Sequence, residues 1–230
     1  SKYASFEDYL LVRGFALVTE STFNNYIFRE IIRYLAQHRI SPYEWLRRIW
    51  DSRDSFPTEI AEIFQSFRKE TQDELFESEE GLQAFFGDAR NYQRLLDGQI
   101  GGNVVFKHKV RLIACADLWI ASIAAVAKTL VLERAGSSPE DVKRVADEIR
   151  ELQAYLSLKL NGVLDPQSGL EPIVTRLSYD FPSWLKSSPA CRLGDFRRDC
   201  DLQFFYDSDQ IAEIRDSYCR YGSDVHGLAK

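Results

Sequence analysis

A mainly α-helical fold, a helical bundle around a long central helix hairpin, is what this 230-residue sequence predicts. Three observations predict it. Within a helical domain taken as residues 1–161, apolar residues recur at intervals of three and four from Thr22 onward, and capping residues precede several of these runs. A stretch from Val104 to Arg134 without Gly or Pro is followed, after a short turn, by a second helical stretch from Pro139 to Leu160 with a matching apolar seam.

The first periodic run is Thr22 to Gln37, with Phe23, Ile27, Phe28, Ile31, Ile32 and Leu35 on one face and Asn24, Arg29, Arg33 and Gln37 on the other. Ser41 with Glu44 forms a capping-box signal, Pro42 suits the first helical position, and Trp45, Leu46, Ile49 and Trp50 supply bulk. Pro57 introduces a third helix marked by Ile60, Ile63, Phe64, Phe67 and Leu75. Two short helices, broken near Gly87-Asp88, are expected between Ser78 and Gly98. Asn103 then caps a helix that nothing interrupts before Arg134, roughly 45 Å at 1.5 Å per residue. From Leu112 to Leu132 that helix is apolar on nearly every side, apart from a thin stripe through Asp117 and Lys128, so it should be enclosed by others.

Ser138-Pro139-Glu140-Asp141 starts the next helix with an N-cap, a first-turn Pro and two acids at the positive end of the helix dipole. Val142, Val145, Ile149, Leu152 and Leu156 give it a seam suited to packing along the long helix. Beyond Gly162, Pro166, Pro172, Pro182 and Pro189 mark a loop-rich extension over residues 162–230, packed on the same domain. Ile173–Leu177 and Leu202–Tyr206 have strand composition and suggest a two-stranded β ribbon. Ser208 is expected to cap a final helix that Gly222 ends.

Composition narrows the function. With 45% hydrophobic and 28% charged residues, the chain is globular rather than disordered. A net charge of −6 argues against nucleic acid as a partner, because phosphate binding needs a basic surface. Leu118–Val126 is too short to cross a bilayer, so no membrane partner is expected. The four cysteines are widely spaced, as in a reduced cytoplasmic protein, and the absence of Met suggests an excised or processed chain.

No catalytic, cofactor-binding or metal-binding residue is assigned. Cys191, Cys200, Cys219 and His226 are zinc-ligand types, but their spacings of about 9, 19 and 7 lack the tight pairs that structural zinc sites use. Cys115 reads as a small core residue, and three histidines leave little material for His-based catalysis. The one candidate is a site for an anion or for contact with another domain: Gly101, Gly102 and Asn103 at a helix start, followed by Lys107, Lys109 and Arg111. Cations there oppose the helix dipole, a cost that an anionic partner would offset.

The order of short segments resembles a known family. Phe56-Pro57-x-Glu59, Gly101-Gly102-Asn103 before Phe106-Lys107, Phe181-Pro182-x-Trp184-Leu185, Asp195-Phe196, Phe204-Phe205-Tyr206 and Tyr221-Gly222-x-Asp224-x-x-Gly227-Leu228-x-Lys230 run through most of the chain. Together they resemble the C-terminal helical region of cobalamin-dependent radical S-adenosylmethionine enzymes. That resemblance implies an accessory domain, not catalytic alone, that closes or shapes the substrate side of an upstream barrel. The four-iron cluster, S-adenosylmethionine and cobalamin would then belong to upstream domains of the same parent chain, because the family's Cys-x3-Cys-x2-Cys motif is absent here. The alternative is an independent helical module that binds a protein or a small ligand.

Overall fold

The computed structural model describes residues 5–76, 78–97, 102–135, 138–162 and 170–221. Helix α1 (Phe6–Thr22) opens the fold on a capping box in which the Ser5 hydroxyl accepts from the Asp8 amide and Asp8 accepts from the Ser5 amide. Periodicity does not reveal it, since Leu10, Leu17 and Val18 are buried while Leu11 and Val12 stand exposed. The run expected from Thr22 to Gln37 divides: a 3-10 turn at Asn24–Tyr26 leads to Tyr26, whose φ of 55° ends the helical path, and α2 spans only Arg29–Gln37.

Helix α3 (Pro42–Ser52) starts at the Ser41 cap and α4 (Thr58–Asp73) after Pro57. Leu75 falls beyond α4 and is exposed, which corrects its place in that helix's apolar face. Ser78 and Asp88 cap the short helices α5 (Glu79–Gly87) and α6 (Ala89–Leu96).

The uninterrupted helix expected from Val104 to Arg134 is two helices, α7 (Val104–Ala114) and α8 (Ala116–Ala135), bent by 94° at Cys115. No Gly or Pro marks the break; packing imposes it. Bending lays α7 against α1 and α4, while α8 packs against α2, α3 and α9 (Pro139–Leu160) on a wide face and leaves Leu118, Ala121, Ala125 and Thr129 exposed, so it is not surrounded on every side as its composition suggests. A straight helix would carry one half's apolar side chains away from these partners. Two indole N–H groups fasten the enclosure, Trp45 to the Ile123 carbonyl at 3.0 Å and Trp119 to the Ser21 carbonyl at 3.4 Å. The antiparallel central hairpin is therefore α8–α9, and its seam begins at Val145 because Val142 is exposed. Asp117 is exposed, so the polar stripe meets solvent there.

In the C-terminal part, β1 (Ile173–Tyr179) and β2 (Arg197–Phe204) pair antiparallel, with Ile173 opposite Phe204 and Leu177 opposite Cys200. Between them lies α10 (Phe181–Lys186), absent from the sequence reading because Pro182 looks like a breaker; it occupies the first turn, where Pro is tolerated, behind the Asp180 cap. The last helix, α11 (Ser208–Tyr221), is capped by Asp207 rather than by Ser208: the Asp207 carboxylate accepts from the amides of Asp209 and Gln210 at 3.0 and 2.9 Å. Gly222 lies outside the described residues.

This part shares the core of the helical body. Leu177, Tyr179, Phe181, Trp184 and Leu193 are buried in one apolar cluster with residues of α2, α8 and α9. Arg33 of α2 donates to the carbonyls of Leu185, Ser187 and Ser188 at 3.1, 3.1 and 2.8 Å and lies over the Trp184 ring. Two buried carboxylates hold α9 to α2. Glu30 accepts from Lys159 at 3.0 Å, and Glu148 accepts from the Tyr34 hydroxyl at 2.7 Å and from Arg144 at 3.2 Å. Among the described residues no single helix is long and apolar enough to cross a membrane.

Two stability predictions follow from these contacts. A Cβ at Gly14 would run into the Trp50 ring, so Gly14→Ala should destabilise by about 1–3 kcal/mol in denaturant titration, whereas Asp117→Leu should stay within about 0.5 kcal/mol. Lys159→Met leaves the fully buried Glu30 carboxylate with only the longer 3.4 Å contact to Arg29 and should cost about 3 kcal/mol, with partial recovery in the double variant Lys159→Met, Glu30→Gln.

Candidate functional site

The basic start of α7 faces α4 and α1. Asn103 caps it as expected, its side-chain oxygen accepting from the Phe106 amide at 3.1 Å, and Gly102 is exposed beside it; Gly101 lies outside the described residues. Val104, Val105, His108, Val110 and Leu112 are buried, which turns the three cations toward polar groups of neighbouring helices. Lys107 donates to Glu70 of α4 at 2.8 Å, and Lys109 lies 3.6 Å from Glu20 of α1. Arg111 donates to the Ser66 hydroxyl of α4. The carboxylates of Glu70 and Glu20 thus supply, from within the chain, negative charge beside cations that oppose the dipole.

His108 sits among them and is fully buried. Its Nδ1 is 2.9 Å from the Val104 carbonyl, which can only accept, so Nδ1 carries the proton and Nε2 accepts from the Ser66 hydroxyl at 2.8 Å. Burial pushes the imidazole pKa down, against the pull of the Val104 carbonyl and of Glu70. Sequence reasoning misses this pair because Ser66 and His108 are 42 positions apart and neither belongs to a motif.

A serine within hydrogen-bond reach of a histidine base invites comparison with nucleophilic catalysis. Here, however, the ring is held by a carbonyl of its own helix. Ser66 is inside α4, and its oxygen already accepts from Arg111. The Ser66 hydroxyl and both ring nitrogens of His108 are already hydrogen-bonded within the fold, and a substrate would have to displace those bonds. The arrangement is a polar seam in the fold.

Three of the cysteines, Cys115, Cys191 and Cys200, are described and lie on separate elements. Cys115 is half-buried at the α7–α8 bend, and Cys200 is half-buried on β2, its thiol 3.4 Å from the Tyr179 carbonyl. Cys191 follows α10, where its carbonyl accepts from Gln37 at 2.7 Å. His226 and the Cys219 side chain lie outside the description. Among the described residues no group of three His, Cys, Asp or Glu side chains is placed to hold a metal ion.

Two apolar surfaces stand out among the described residues. Between α1 and α3 a groove of about 280 Å³ is lined by Leu11, Val12, Phe15, Tyr43 and Trp50, with the Arg47–Asp51 ion pair on its rim. The absence of a side chain at Gly14 lets the Trp50 ring of the groove rest on α1. The second surface is α5–α6, in which no residue is buried although Leu82, Tyr92, Leu95 and Leu96 are apolar and exposed. Tyr92, Leu95 and Leu96 form one stripe along α6, and Phe76, Phe85 and Phe86 cluster against one another with ring centroids 5.1–6.1 Å apart. Sequence periodicity locates both helices but does not say that Leu82, Tyr92, Leu95 and Leu96 stand exposed on them.

Compared with known proteins, the chain matches no family model, no curated protein and no solved structure.

Two outcomes are expected of the seam. Replacing Lys107, Lys109 and Arg111 together with Gln should lower the melting temperature, because Glu70, Glu20 and Ser66 lose their partners; an unchanged melting temperature would show that the cations contribute nothing to folding. His38 and His108 both have lowered pKa values through burial, His38 to about 4. Their contribution to stability is complete above the unfolded value of about 6.5 and is lost as pH falls toward the native value. Denaturant midpoints should therefore fall between about pH 6.5 and 4, and His38→Gln should flatten that fall.

Proposed function

We propose that this chain is a non-catalytic accessory domain of a radical S-adenosylmethionine enzyme, docked on the substrate side of a catalytic barrel supplied by upstream domains of the same parent chain. The observation that carries the docking reading is the uncovered apolar surface of α5–α6: two helices with no buried residue present Leu82, Tyr92, Leu95 and Leu96 outward. Surfaces of this kind mark contact sites. The ordered motifs support the choice of parent. Of the residues that carry the resemblance, Phe181 and Trp184 are buried and Phe56 is half-buried, whereas Phe106 and Phe205 are exposed. In this reading the four-iron cluster, S-adenosylmethionine and cobalamin are held by the parent's other domains, and this domain shapes the entrance to the reacting centre. The oxygen- and nitrogen-bearing groups of the α4–α7 seam keep the domain rigid and take no part in the reaction.

The groove between α1 and α3 favours a second reading, an independent helical module that binds a protein segment or a small ligand there. The two readings differ in what lies upstream in the gene and in which surface matters.

The test uses the full-length product of the gene and the isolated domain side by side. Under the first reading the upstream region contains the Cys-x3-Cys-x2-Cys motif, and the purified full-length protein binds an iron-sulfur cluster. Leu95→Asp with Leu96→Asp should leave the isolated domain's melting temperature unchanged, since both side chains are exposed, and should reduce activity of the full-length protein or its association with the separately expressed upstream part at least about tenfold. An upstream region without the cluster motif, or a double variant as active as the parent, overturns it.

A further inference from the structure

We draw no further inference here: the strongest candidate, the apolar groove between α1 and α3 lined by Leu11, Val12, Phe15, Tyr43 and Trp50, is an open face, and nothing in the structure shows what covers it.

Discussion

Burial of α8 is the constraint on which the rest of the architecture depends. Trp119, Ile120, Ile123, Ala124, Ala127, Leu130 and Val131 are all buried, on several faces of one helix. Asp117, Leu118, Ala121, Ala125 and Thr129 keep one side of the helix in solvent, but an apolar face as wide as the remainder cannot be covered by one partner; it needs several neighbours. Helices α2, α3 and α9 meet that need along its length, and α7 turns away at Cys115 to join α1 and α4. The small alanines at 124 and 127 let neighbouring helices approach, and the indole of Trp45 reaches the Ile123 carbonyl, a bond that orients the ring in the core.

Around that apolar centre the fold places a few charges where they cost most. Glu30 and Glu148 are buried on facing helices, and each is matched by groups from another part of the chain. The Tyr34 hydroxyl is held protonated by burial first and by the Glu148 carboxylate second, so it remains a donor across the ordinary pH range. Such pairs add little net stability compared with apolar residues of the same size, but they penalise any other packing of the helices. The ring of His38 packs edge-on against Tyr34 and connects the same region to the positive groups Arg144 and Arg192, whose proximity adds to burial in keeping it neutral.

Where periodicity was strong and one-sided, as in α3 and α9, the sequence was enough to place the helix and its cap. Ser41 and Ser138 accept from the amides three residues on, as their spacing suggests. The ribbon was legible as well: Ile173–Leu177 falls inside β1, but of Leu202–Tyr206 only Leu202–Phe204 belongs to β2, which starts at Arg197 in a charged stretch that lacks strand composition. Helix α1 was hidden because its apolar residues point both inward and to solvent, and the bend at Cys115 because the local sequence is helical on both sides of it. That bend accompanies tertiary contacts: α7 packs on α1 and α4, and Trp119 just after the bend donates to the carbonyl of Ser21 on α1, far away in the sequence. The basic start of α7 was legible as a charge cluster but not as a seam, since its partners Ser66, Glu70 and Glu20 come from other helices. The exposed face of α6 could not be told from a core-facing one, because the same spacing serves both.

The lack of buried residues in α5–α6 has a thermodynamic corollary. Their amides are bonded within the segment, with the Ser78 and Asp88 caps and the Asn91 side chain's bond to the Phe85 carbonyl as local supports. Opening these two helices exposes almost no core, so it requires far less free energy than unfolding the enclosure of α8. Their backbone amides should accordingly exchange with solvent independently of global stability, while those of α8 follow it. A partner that covered this face would merge the two into one cooperative unit, and the protection of the α5–α6 amides would then measure the partner's affinity.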